Sequence, residues 1–187
     1  MSEQPEAVLP DDEAGDEPAV TPAAAVPARK RPRPGERRIQ ILQTLAGMLE
    51  QPGAERITTA ALAAKLDVSE AALYRHFASK AQMFEGLIEF IESSVFTLVN
   101  QIAERESSGA VQAQKTVAML LQFGEKNPGM TRVMVGDALV FEHERLITRM
   151  NQFFDRVESQ LRSSLRAAAE AAGSPTPKVD ANALASA

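Results

Sequence analysis

From Glu36 onward, large apolar residues recur at intervals of three and four, and no stretch alternates apolar and polar residues as a half-buried strand would. In the first such segment Ile39, Leu42, Leu45, Ala46 and Leu49 form one stripe. A stripe of that period buries one face of a helix and nothing else, so the chain is restricted to an all-α fold. Pro52 and Gly53 are expected to end this first helix. The run RITTAALAAKL then offers Thr58 or Thr59 as an N-cap. Asp67 and Val68 make a tight turn, and Ser69 caps a third helix through Tyr74 to about Phe77. Ser79 caps a fourth, with Met83, Leu87, Ile88, Ile91, Val95, Leu98 and Ile102 as its apolar face.

Gly109 is read as the separator before a fifth helix, from about Val111 to Lys126. Asn127, Pro128 and Gly129 are read as its breaker. The short segment MTRVMVGDALV follows. A long helix is expected from about Glu142 to Ala172, with Leu146, Met150, Phe153, Val157, Leu161 and Leu165 as its seam. Gly173, Ser174, Pro175 and Pro177 stop it, and Asp180 is placed to cap one more helix.

Charge is segregated along the chain. The net charge is −5, but residues 1–28 carry −7 with no Lys or Arg, residues 29–80 carry +5, and residues 81–187 carry −3. A basic segment between acidic ones is a local electrostatic footprint for which nucleic acid is the commonest partner. The acidic stretch has almost no large apolar side chains and is expected to be disordered. ARKRPRPGERR follows it, and its prolines favour an extended arm. That arm reads either as a solubilising linker or as a contact for a phosphate backbone.

Two short helices joined by a tight turn make a helix-turn-helix, and residues 58–77 fit one. Leu62, Leu66, Val68 and Leu73 would be the core of the pair. Ser69, Ala71 and Ala72 open the second helix, where small side chains let a backbone approach a base edge and alanine methyls can touch a thymine methyl. Tyr74, His76 and Lys80 would reach outward to phosphate oxygens. Tyr74 could instead be a core tyrosine, and His76 a surface histidine without a ligand.

The run ITTAALAAKLDVSEAALYRHFASK, with its LYRHF followed by SK, resembles the DNA-binding domain of the TetR family. Further on, MFEGLIEFIE, FGEKNPGMTRVMVGDALVFEHERL and RMNQFFDRVESQLRSSLR are similar to the nucleoid-occlusion factors within that family, over roughly residues 36–185. The resemblance implies a TetR-like architecture. A three-helix DNA-binding domain at 36–80 would follow a tail and arm at 1–35 and precede a larger helical dimerisation and partner domain at 81–187.

It also implies a function, the inhibition of division-ring assembly over the chromosome. A homodimer would bind double-stranded palindromic DNA and engage the tubulin-like division protein FtsZ. By the same resemblance Thr58, Tyr74, His76 and Lys80 fall on the DNA side. Phe90, Lys126 and Asn127 fall on the partner surface of the fourth and fifth helices. Three features depart from the pattern. The acidic tail is additional, and Leu98 stands where a basic residue is expected on the partner face. The chain also ends near where the family's last two helices run, so a truncated dimerisation domain is expected.

Other chemistries find little support. There is no cysteine, hence no disulfide, thiol nucleophile or Cys zinc site, which also fits a reducing cytoplasm. His143–Glu144 lacks a second histidine four residues on, so it is no HExxH zinc site. No G-x-S-x-G, P-loop or Rossmann glycine pattern occurs, and neither an enzyme nor a cofactor is expected. No apolar run nears membrane-spanning length, and no basic-then-apolar leader opens the chain. By composition alone Phe90 is as readily core as interface, and Lys126 and Asn127 could simply cap a helix C-terminus. The rival reading is a ligand-responsive TetR-type repressor, which would need a cavity among the later helices.

Overall fold

The computed structural model describes residues 35–51 and 56–186. The acidic stretch, the arm as far as Pro34, and Pro52 and Gly53 lie outside the described residues, and the arm's last residues, Glu36 to Arg38, open α1. Every regular element within them is helical. These are α1 (Glu36–Leu49), α2 (Thr59–Lys65), α3 (Glu70–Tyr74), α4 (Lys80–Arg105), α5 (Gly109–Lys126), α6 (Pro128–Met134), a 3-10 turn (Asp137–Leu139), α7 (Arg145–Ala171) and α8 (Pro177–Ala185). The all-α class read from the apolar spacing is the one found among the described residues.

A single apolar cluster runs through α1 to α4, the turn after α6 and α7, from Ile41 and Leu62 to Met150, Phe153 and Val157. Two stripes differ from expectation by small rotations. In α1 the buried residues are Ile41, Leu42, Leu45, Ala46 and Leu49, whereas Ile39 is exposed. Two residues turn a helix by about 200°, so Ile39 and Ile41 cannot share the buried face. In α4 Val99 takes the inward place after Val95, and Leu98 faces out.

Two glycines read as separators are packing sites. Gly109 is the first residue of α5, and a Cβ there would lie 2.1 Å from the Ser164 carbonyl oxygen of α7. Gly129 lies inside α6, where a Cβ would lie 2.0 Å from the Ala46 carbonyl oxygen of α1. Both glycines therefore let one helix backbone rest on another. Pro128, read as part of the breaker, occupies the first turn of α6, where a missing N–H costs nothing.

The long helix keeps its seam from Leu146, Met150, Phe153 and Val157 to the partly buried Leu161, but Ser164 rather than Leu165 is buried beyond it, and the helix begins at Arg145 rather than Glu142. Asp180 is not an N-cap. Thr176 holds that position, and the Asp180 carboxylate accepts hydrogen bonds from the hydroxyls of Ser174 and Thr176.

Between α4 and α7, Glu92 is buried and accepts a two-pronged pair from Arg149, one prong at 2.7 Å, with Arg156 a further 3.6 Å away. The Arg156 guanidinium also lies 4.1 Å over the Phe96 ring. Two polar ties join segments far apart in the chain, one from α6 to the end of α1 and one from the start of α4 to the connection before α7. Arg132 donates to the Leu49 carbonyl at 2.9 Å, and Lys80 pairs with Glu142.

Candidate nucleic-acid interface and the α4–α5 face

The helix pair at 58–77 is fixed by its caps. The Thr58 hydroxyl accepts from the Ala61 N–H at 3.1 Å, and the Ser69 hydroxyl accepts from the Ala72 N–H at 3.3 Å. Each satisfies an amide that the first turn of a helix leaves without a partner. The turn between them passes through Asp67 at φ 55, a left-handed conformation that aspartate tolerates better than most residues. Leu62, Leu66 and Leu73 are buried beneath, and Val68 packs against the same cluster.

The helix that starts at Ser69 is shorter than its sequence suggests. It ends at Tyr74, and the chain turns so that Phe77 drops into the core. Arg38 of α1 secures that turn. Its guanidinium donates to the His76 carbonyl at 3.0 Å and stacks 4.1 Å over the Phe77 ring.

Thr58, Ser69, Ala71, Tyr74 and His76 are exposed, and Ala72 is half-buried. The core alternative for Tyr74 fails, since the residue is 45% exposed. Its hydroxyl lies 3.5 Å from that of Thr59, which in turn donates to the Glu70 carboxylate at 2.6 Å. Thr59 thus ties the start of α2 to both ends of α3. Arg38, Arg56, Lys65 and Arg75 are exposed nearby in sequence, interspersed with Glu36, Asp67 and Glu70.

Lys80 does not reach outward with Tyr74 and His76. Its ammonium pairs with Glu142 and sits 5.7 Å from the Phe84 ring centroid, with the side chain 27% exposed. A cation in the first turn of a helix faces the positive end of the helix dipole, so an adjacent carboxylate is favoured there.

The other three candidates lie on the α4–α5 hairpin. Phe90 is half-buried against the core, and Lys126 is exposed at the end of α5. Asn127 is half-buried, and its amide donates to the Phe123 carbonyl at 2.7 Å, so it does cap α5. The hairpin closes at Glu106–Ser108, which places Phe90 and Lys126 at like distances from the turn. Nearer that turn Leu98, Gln101, Ile102, Arg105, Lys115 and Met119 line an open cleft of about 230 Å³.

Thr59, Arg38 and Glu142 carry much of this geometry and were not singled out by the sequence. Thr59 had a local signal, as the alternative cap. Arg38 and Glu142 act on partners far along the chain and had none. Among the described residues no cluster of His, Cys, Asp and Glu could hold a metal ion, and no helix is long and apolar enough to cross a membrane.

The profile of bacterial regulatory proteins of the tetR family matches residues 41–87. That of the SlmA-like, tetracycline-repressor-like C-terminal domain matches residues 108–187. The nucleoid occlusion factor SlmA of Aliivibrio fischeri strain MJ11 is 57% identical over 136 residues, covering 72% of this chain and 69% of that protein. The SlmA of Alteromonas mediterranea is 56% identical over 130 residues, covering 70% and 67%. Among solved structures, a TetR-family regulator from Bordetella parapertussis superposes with a TM-score of 0.59 at 16% identity, covering 79% of this chain and 77% of that one. A TetR/AcrR-family regulator gives 0.61 at 19% identity, covering 79% and 80%. At those identities the structures speak for the fold alone.

Proposed function

Since the chain belongs to the SlmA nucleoid occlusion factors of the TetR family, we propose that it binds palindromic sites on the chromosome as a homodimer and there blocks assembly of the tubulin-like division protein FtsZ. As a member of that family it is a DNA-binding protein and not an enzyme. The observation that carries the reading is the capped α2–α3 pair, which opens its second helix on the small residues Ser69, Ala71 and Ala72 and leaves Tyr74 and His76 exposed beyond them.

In this reading residues 36–80 form the DNA-binding unit and 81–187 the dimerisation and partner unit. The helix from Ser69 enters the major groove, and Ala71 and Ala72 meet base edges. Thr58, Tyr74, His76 and Lys80 serve the phosphate backbone, Lys80 after leaving Glu142. A dimer places two such helices about one turn of DNA apart, which matches a palindrome. Phe90, Lys126 and Asn127 belong to the face that meets FtsZ, and the protein works in the cytoplasm on the nucleoid.

Genome-wide mapping of bound sites in growing cells tests the reading. Many dispersed palindromic sites, sparse near the replication terminus, support it. One or two sites beside a single operon would favour the ligand-responsive repressor. That alternative needs an enclosed cavity, whereas the clefts at α4–α5 and α7–α8, about 230 and 220 Å³, are open and below the size of most ligand pockets, about 300–1,000 Å³. The partner half is tested by following FtsZ assembly with the protein and DNA from a mapped site. Unchanged assembly would remove FtsZ from the proposal.

A further inference from the structure

The Lys80–Glu142 pair joins a residue of the proposed DNA face to one far along the chain. Glu142 lies between the 3-10 turn and α7, and its side chain is only 10% exposed. Lys80 is in the first turn of α4, where the helix dipole adds to its own positive charge. That position calls for an anion. In the free protein Glu142 supplies it, and on DNA a phosphate oxygen could supply it equally well.

We propose that Glu142 is an internal counter-ion that competes with DNA for Lys80, so that docking on the phosphate backbone frees the connection that carries Glu142. The inference rests on the reading of Lys80 as a phosphate contact. Its second half follows from burial. A carboxylate that is nine-tenths buried is costly to leave without its cation, so Glu142 must turn toward water once Lys80 departs.

The moving part is bounded by its neighbours. Leu139 and Leu146 are fully buried on either side, and Arg145 is held by Glu85 at 2.7 Å. Between those anchors lie Val140 and Phe141, 63% and 66% exposed, and the exposed His143 and Glu144. DNA on one side of the molecule would therefore reset an exposed apolar segment on α7's approach.

Glu142→Gln keeps the shape and removes the competing charge. The test measures its affinity for a duplex from a mapped site and for a random-sequence duplex. Release from a state closed about nine-tenths of the time tightens apparent binding about tenfold, and equally on both duplexes. Adding Lys80→Ala should erase the gain and lower the salt slope by about one per protomer.

The chain has no tryptophan, so Phe141→Trp provides a single reporter on the freed segment. Its emission should shift when DNA is added, and Lys80→Ala, which leaves the Glu142 carboxylate without its cation, should show the shifted emission without DNA. If the glutamine variant unfolds, Glu142→Asp, which keeps the charge but shortens its reach, gives the same comparison. Equal or weaker binding by Glu142→Gln, or an emission blind to DNA that does bind, would overturn the latch. Failure of the parent chain to bind either duplex would overturn the nucleic-acid reading itself, and the latch with it.

Discussion

Thr59, Glu70 and Tyr74 meet at the surface of α2 and α3, whereas Glu92, Arg149 and Arg156 meet between α4 and α7. Each is a small polar network around one carboxylate, but the surroundings differ. Water reaches the first from outside, so each of its hydrogen bonds replaces one to solvent and contributes only about 0.5–1.5 kcal/mol. Glu92 is 6% exposed, and removing its cations would strand a charge in the core. The comparison separates two kinds of constraint. The interior network holds two long helices in register, and the surface network sets the direction of side chains at little cost to folding. Substitutions at the surface network should therefore read out in binding, and those in the interior in stability.

The largest effect is expected at the interior. Arg149→Met removes the two-pronged cation and leaves the buried Glu92 carboxylate with only the more distant Arg156, and should destabilise the fold by about 2–3 kcal/mol. For a chain of this size that is a fall in Tm of about 5–10 °C, read by thermal unfolding. DNA affinity of the folded protein should stay within about twofold. A stability change below about 0.5 kcal/mol would mean that the two networks do not differ as their burial suggests. Gly129→Ala should cost about 1–3 kcal/mol by a different route, because the new methyl meets the α1 backbone and α6 must shift.

The next effect lies on the proposed DNA face. Tyr74→Ala should weaken binding about fivefold on every site variant and leave unfolding nearly unchanged. Replacing Ala71 with a larger residue should instead change which bases are preferred, measured by affinities across a set of variant operators. A uniform loss for both substitutions would erase the division between backbone and base contacts.

The same comparison marks what sequence could reveal. Both caps of the helix pair were legible, since Thr58 and Ser69 act on amides three residues away. So was the seam from Leu146 to Val157, because a buried stripe repeats with the helix. The close approaches at Gly109 and Gly129 were not, because a missing side chain looks the same as a breaker until the facing helix is known. Lys80 belongs with them. Its position at the start of α4 could be read, but its partner stands 62 residues later. Asn127 and Phe90 carry structural duties visible in their contacts, while any duty toward a partner leaves no mark in a single chain.

The smallest expected effect sharpens the comparison most. Thr59→Val keeps the shape of the side chain and removes the hydroxyl that donates to Glu70 and faces the Tyr74 hydroxyl. All three side chains keep access to water, so the cost to folding should stay within about 0.5 kcal/mol. Glu70 would then be free to turn outward, and the tyrosine would lose one restraint on its ring. An unrestrained tyrosine still reaches a phosphate but must be ordered on binding, at a cost of about 0.5–1 kcal/mol. The expected loss of DNA affinity is therefore about two- to fivefold, no larger than that of Tyr74→Ala, and measurable by titration at fixed salt. In the double variant with Tyr74→Ala the threonine effect should shrink, because the group it orients is gone. Full additivity would mean that Thr59 acts on DNA without Tyr74, and the surface network would then be two separate contacts.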